Sequence, residues 1–152
     1  MKNFVIKLLA SGFFTGYLKP FPGTWGTIPA WLIGWFLLKG DPSLTIGAAV
    51  LSSLLAIAVA SLAEPIMGHD ARRIVIDEWA GMFVSLLFVP YSLQMYIAAF
   101  VAFRAFDVVK LWPARQLEKL PGGLGVTMDD IAAGVHTTIF VQIAIYAVNR
   151  FA

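Results

Sequence analysis

The sequence has no cysteine and only two histidines among its 152 residues. Disulfides, zinc–thiolate centres and a cysteine nucleophile are therefore excluded, although the redox compartment stays open. Charge is scarce as well: Asp, Glu, Lys and Arg make up 13% of the chain, against about one quarter in an average soluble domain. The net charge is only +2. No basic cluster interleaves with aromatics, so the expected partners do not include nucleic acid. The N-terminal stretch begins with a basic residue, but Lys7 splits its apolar run and no A-x-A-like cleavage site follows. It reads as mature sequence rather than a signal peptide.

What the chain has in excess is apolar surface, with 59% hydrophobic residues and a mean hydropathy of +0.80. The length suits one domain, 1–152. A soluble fold of this size cannot hide so much apolar surface, so lipid is the expected solvent. The expected fold class is all-α: an integral membrane helical bundle with about four membrane helices or half-helices plus an N-terminal amphipathic helix.

In chain order, Phe4, Leu8 and Leu9 share one helical face, which suits a short helix lying on a membrane surface or, equally, an ordinary core helix. Lys19 to Thr27 contains two prolines and two glycines. It reads as a rigid loop able to present N–H groups, those around Gly23 and Thr24, to an anion; the plainer reading is a turn leading into a helix near Trp25, capped by Thr24 or Thr27. Pro42 to Ala63 is 22 residues without a charge, the clearest transmembrane helix. A polar loop from Glu64 to Arg73, with His69-Asp70, leads to Asp77-Glu78. The next uncharged run, Trp79 to Phe103, is broken at Pro90 and predicts two shorter helices, 76–89 and 92–111. The last helix is expected from Asp130 to about Tyr146.

With the N-terminus in the cytoplasm, Arg72, Arg73, Arg104, Lys110, Arg115 and Lys119 fall inside, whereas Lys39 and Arg150 fall outside. This satisfies the positive-inside bias. The same topology places every acidic residue except Asp41 on the cytoplasmic side.

Five carboxylates lie at the ends of apolar runs: Asp77, Glu78, Asp107, Asp129 and Asp130. Ionisable groups near membrane depth usually mark function. Carboxylates without cysteine favour a hard, oxygen-seeking ion such as Mg²⁺, and like charges gathered closely repel unless a cation lies between them. Arg104, Asp107 and Lys110, spaced i, i+3, i+6, set a carboxylate between two cations on one helical face. That combination suits metal-assisted phosphoryl transfer, and equally a pair of helix salt bridges. Thr127 and Asp130 fit a capping box, and Asp77-Glu78 fits a favourable helix N-terminus. Gly122-Gly123-Leu124-Gly125 is either a phosphate nest or a hinge. His69-Asp70 offers a proton donor or an orienting pair. His136, inside the final apolar run, reads as a packed, hydrogen-bonded residue. A divalent-cation transporter or channel using the same carboxylates is the alternative, although it would want acids near mid-membrane.

Taken together, Pro22-Gly23-Thr24-Trp25-Gly26-Thr27, His69-Asp70 with Ile76-Asp77-Glu78-x-x-Gly81, Phe103-Arg104-x-Phe106-Asp107-x-x-Lys110, and Gly122-Gly123-x-Gly125-Val126-x-x-Asp129-Asp130-x-x-Ala133-Gly134 resemble the phosphatidylglycerophosphatase A family of bacterial membranes. The four pieces occur in family order and span nearly the whole chain. Thr27 stands for a common serine, Ala71 and Leu111 for common prolines. The resemblance implies a Mg²⁺-dependent lipid phosphatase of phospholipid biosynthesis in the bacterial cytoplasmic (inner) membrane, its active site on the cytoplasmic side. Its phospholipid substrate would be phosphatidylglycerophosphate, converted to phosphatidylglycerol and phosphate. By position, Asp77, Glu78, Asp107, Asp129 and Asp130 would be catalytic, with Asp77, Glu78, Asp129 and Asp130 holding the metal. Arg104, Lys110, Thr24, Gly23 and His69 would bind the substrate phosphate. Attack by water with a carboxylate as base, and direct carboxylate attack giving an aspartyl-phosphate, both remain open.

Overall fold

The computed structural model describes residues 1–68 and 71–151, and His69-Asp70 lies outside the described residues. Among the described residues every regular element is helical. The order is α1 (Lys2–Ala10), a 3₁₀ turn (Thr15–Tyr17), α2 (Pro22–Ile33) running on into a π-helical turn (Gly34–Leu38), α3 (Pro42–Met67), α4 (Asp77–Ser85), α5 (Leu93–Val109), α6 (Ala114–Leu117) and α7 (Gly123–Phe151).

Local chemistry accounts for two of the helix starts. Asp41 caps α3, its Oδ1 accepting from Leu44 N at 2.9 Å, and Pro42 occupies the first turn, where a missing N–H does no harm. Pro22 does the same for α2. Helix therefore begins three residues before Trp25, and Gly23 and Thr24 belong to its first turn rather than to a loop. The larger departure is α7, which begins at Gly123, seven residues before Asp130. The Gly123 N–H donates to Ser61 Oγ at 3.1 Å, and a Cβ on Gly123 would stand 2.5 Å from Ser61 N. Close approach to α3 thus carries the helix through a glycine-rich segment that local propensity would leave as loop. Thr127 and Asp130 consequently sit inside a continuous helix, not in a capping box.

By length and composition, two helices can cross a membrane: α3 over Pro42–Met67 and α7 over Gly123–Arg150. Only 28% of the most apolar stretch of each is buried. Leu51, Leu54 and Ile143 face outward, the reverse of a soluble core helix. At nine residues and about 1.5 Å per residue, α4 is too short to span. Among the described residues, the structure thus offers two spanning helices, with α2, α4 and α5 shorter, where about four membrane helices or half-helices were expected.

The short α4 is central, packed against α2, α3 and α7. Its Met82, Phe83 and Leu86 join Tyr96 and Phe103 of α5 in the main core. The α4–α7 crossing is made by glycines: a Cβ on Gly81 would meet Asp130 O at 2.7 Å. Beyond it, Thr138 Oγ1 donates to Val84 O and Gln142 Nε2 to Phe88 O, each at 2.8 Å. These bonds tie the end of α4 and the turn that follows it to α7. The turn at Gly40 packs on Tyr91, whose hydroxyl donates to Trp35 O at 3.2 Å. The 39–42 and Pro90 turns therefore share one end of the bundle, and of the acidic residues only Asp41 is in these turns.

Candidate active site

All five carboxylates meet in one cavity of about 440 Å³, lined also by Gly23, Arg72, Arg104 and Lys110. Asp77 and Glu78 are the first two residues of α4, where negative charge complements the helix dipole. Asp107 and Arg104 come from the last turns of α5. Asp129 and Asp130 come from the second turn of α7. Four of the five are buried; Asp107 is half-buried.

Three of these acids draw closest. One oxygen each of Glu78, Asp107 and Asp130 lies within 4.8 Å of the others. Asp77 and Asp129, which the sequence reading placed among the metal ligands, line the same cavity but lie outside this tightest set. Asp107, expected there to be catalytic but not among the metal ligands, lies inside it. Asp77 Oδ1 accepts from Glu78 N at 3.0 Å, and Asp129 Oδ1 from Asp130 N at 3.1 Å.

Arg104 is the principal cation. Its Nη1 pairs with Glu78 Oε2 and, at 3.2 Å, with Asp107 Oδ2. Its Nε is buried without a partner. Gly23 packs directly on this pair: a Cβ there would collide with Glu78 Oε1 and stand 2.7 Å from Arg104 Nη2. Lys110 Nζ donates to Asp129 Oδ2 at 2.7 Å and to Glu118 Oε1 at 2.6 Å. Burial works against the Lys110 charge, but these hydrogen bonds outweigh it and raise its pKa. Burial pushes the Glu78 carboxyl up to about 8, with Arg104 pulling the other way. Asp77 is raised too, by burial and then by the Glu78 charge.

Five lining carboxylates face three lining cations, Arg72, Arg104 and Lys110. The carboxylates outnumber the cations, and Lys110 is also shared with Glu118, so ionising the set favours a bound cation. The donors are all oxygen, with no thiolate or imidazole among the described lining residues, which suits a hard ion. The residues present therefore fit Mg²⁺.

The structure also places residues that the sequence reading missed. Thr27, buried on α2 one turn after Gly23, donates to Glu78 Oε2 at 3.1 Å, with Gly23 O at 2.8 Å as a second acceptor. It accepts from Arg104 Nη1 at 3.5 Å. Its i+4 spacing from Gly23 was the available signal. Glu118 carried none, because only the fold of the 110–123 connector brings it to Lys110. Thr24 lines an apolar groove between α2 and α5 instead of the acidic cavity. His136 packs on Phe106 at 5.9 Å, and its Nδ1 is buried without a hydrogen-bond partner, contrary to the bonded state expected.

Residues 8–145 match the phosphatidylglycerophosphatase A family. The chain belongs to this family. Relatives in the phosphatidylglycerophosphatase A family include the Haemophilus influenzae protein of that name, 40% identical over 90% of this chain and 86% of its own length. The Escherichia coli protein of the same name is 37% identical over 84% of this chain and 76% of its own. A Bacteroides thetaiotaomicron protein, provisionally named a phosphatidylinositol-3-phosphatase, is 38% identical over 97% of this chain and 98% of its own. No solved structure matches the chain. Membership makes the protein a phosphatase of the phosphatidylglycerophosphatase A type.

Proposed function

We propose that this protein hydrolyses the terminal phosphomonoester of phosphatidylglycerophosphate, releasing phosphatidylglycerol and phosphate, in a Mg²⁺-dependent reaction. The observation that carries the reading is the single cavity in which five carboxylates meet Arg104 and Lys110, in a chain of this family. Glu78, Asp107 and Asp130 hold the ion, with Asp77 and Asp129 beside them. Bound there, Mg²⁺ supplies Lewis-acid polarisation of a phosphoryl oxygen and offsets charge in the transition state.

The chain's own groups do the rest. Arg104, whose guanidinium lines the cavity, binds a phosphate oxygen. Lys110 uses two of its three protons on Asp129 and Glu118 and offers the third to the phosphate. Gly23 keeps the approach open, because any side chain would fill it. Asp77 lies outside the tightest acidic set and has a raised affinity for protons. It takes a proton from the attacking water and passes that proton to the glycerol oxygen as the P–O bond to glycerol breaks. His69 keeps its place in the phosphate shell on the sequence alone.

The helices α3 and α7 cross the bacterial inner membrane, and α2, α4 and α5 enter it as half-helices. The cavity opens on the cytoplasmic side, where the basic residues concentrate. Phosphatidylinositol 3-phosphate is the second substrate to test, because the Bacteroides relative carries that name. Phosphate release from each lipid by the purified protein, with Mg²⁺ and with chelator, decides the matter. Release from phosphatidylglycerophosphate that stops with chelator is expected; no release from it overturns the assignment and favours a transporter.

A further inference from the structure

A larger cavity, about 860 Å³, opens beside the acidic one. Pro22, Ala71 and Arg72 line both, so the two adjoin. Its charge is opposite in sign. Lys19, Arg72 and Arg73 line it, and no acidic side chain does so among the described residues. The Arg73 guanidinium lies over the Tyr17 ring, 5.4 Å from its centre, a contact that steadies a long side chain. Tyr17, Leu18 and Phe21 are exposed at its wall. Aromatic and apolar side chains beside cations are what an anionic membrane interface attracts.

We propose that this basic vestibule is a subsite for the inner phosphodiester of a lipid headgroup whose terminal phosphomonoester lies in the acidic cavity. The inference rests on the reading given under Proposed function. Phosphatidylglycerophosphate and phosphatidylinositol 3-phosphate, the lipids in the relatives' names, differ in their polyol. They share a phosphodiester next to the diacylglycerol and a phosphomonoester farther out. The monoester carries nearly two charges near neutral pH and gains most from a site built for a divalent cation. The diester carries one charge and is matched by Lys19 and Arg73 without a metal. Phosphatidic acid has a single phosphate directly on diacylglycerol and cannot fill both places. The vestibule thereby selects diester-plus-monoester headgroups as a class and leaves the choice of polyol to other contacts.

The test compares the full-length protein with Lys19→Gln/Arg73→Gln and with the charge-preserving Lys19→Arg/Arg73→Lys. Phosphate release is measured on phosphatidylglycerophosphate and on phosphatidic acid in mixed micelles. The expected result is a wild-type preference in kcat/KM for the first lipid, which falls about tenfold or more through KM in the glutamine variant and persists in the charge-preserving one. An unchanged preference, or a fall in kcat alone, overturns the proposal. A second arm omits divalent cation and reads by native mass spectrometry how well each protein retains phosphatidylglycerol, which carries only the diester, against diacylglycerol. Selective retention by wild type and its loss in the glutamine variant are expected; equal retention overturns the subsite. An excess of soluble glycerophosphodiester should compete with the lipid where an equal excess of glycerol does not, and displacement by both alike would overturn recognition of the diester. If the wild type releases no phosphate from either lipid, the enzymatic reading fails, and the retention arm still decides the vestibule.

Discussion

A Cβ placed on Gly134 would stand 2.5 Å from the carbonyl oxygen of Gly81. This backbone contact sets the distance between α4 and α7, and the acidic pairs lie about one turn from it. Glu78 is three residues before Gly81, and Asp130 four before Gly134. Small residues permitting close helix approach are a common device in membrane bundles. Here the device governs whether carboxylates from two helices can share one ion.

Gly134→Ala is therefore expected to lower stability by about 1–3 kcal/mol through overpacking, and to reduce phosphate release with it. Thermal unfolding in detergent checks the first and the lipid assay the second. Gly47→Ala is the control. Nothing lies within 4 Å of a Cβ there, so the expected change is neutral or a gain of up to about 1 kcal/mol in helix propensity.

Glu78 and Glu118 are both paired with cations, yet their loss should differ sharply. Glu78 is buried beside two further carboxylates and Arg104. Glu78→Gln should reduce kcat by about 100-fold or more and raise the Mg²⁺ concentration giving half-maximal rate. Glu118 is 35% exposed at the outer side of Lys110, where an ion pair contributes about 0–1 kcal/mol. Glu118→Gln should leave kcat within a few-fold, measured in the same assay.

Thr27→Val removes a hydroxyl that reaches Glu78 Oε2 while keeping shape. A loss of about tenfold in activity is expected, accompanied by weaker apparent Mg²⁺ affinity. Thr27→Ser keeps the hydroxyl and should restore both. Equal losses in the two variants would assign Thr27 to packing alone.

Protons and the cation compete for Glu78. Its carboxyl is raised to about 8 in the absence of metal, so its charged form grows as pH rises through that value and shrinks below it. The Mg²⁺ concentration for half-maximal rate should accordingly increase as pH falls from about 8 towards about 6, by up to tenfold per pH unit for one competing proton. Titrations at fixed substrate and several pH values read this directly. A constant half-maximal concentration would remove Glu78 from the ion's shell.

Leu54 stands near the middle of α3 and is 63% exposed. If that face meets hydrocarbon, Leu54→Lys opposes insertion by about 2.5–3.5 kcal/mol. The variant should be depleted from the membrane fraction while Leu54→Ile is not. Normal recovery of Leu54→Lys would place this face in water.

Composition and charge spacing alone determined that the chain is helical, that Pro42 begins an apolar helix of membrane length, and that the acidic residues stand at the ends of apolar runs. Those properties are local, because uncharged length and Pro or Asp at a helix start act through neighbours along the chain. Motif order along the chain also carried the family. The start of α7 was not legible, because Gly123 is held in a helix by Ser61, sixty-two residues away. Nor was the composition of the tightest acidic set, in which Glu78, Asp107 and Asp130 come together from three helices. Glu118 on Lys110 was hidden for the same reason. A sequence states which oxygens are available, whereas only helix crossings, set here by glycine against backbone, decide which of them come close enough to share a charge.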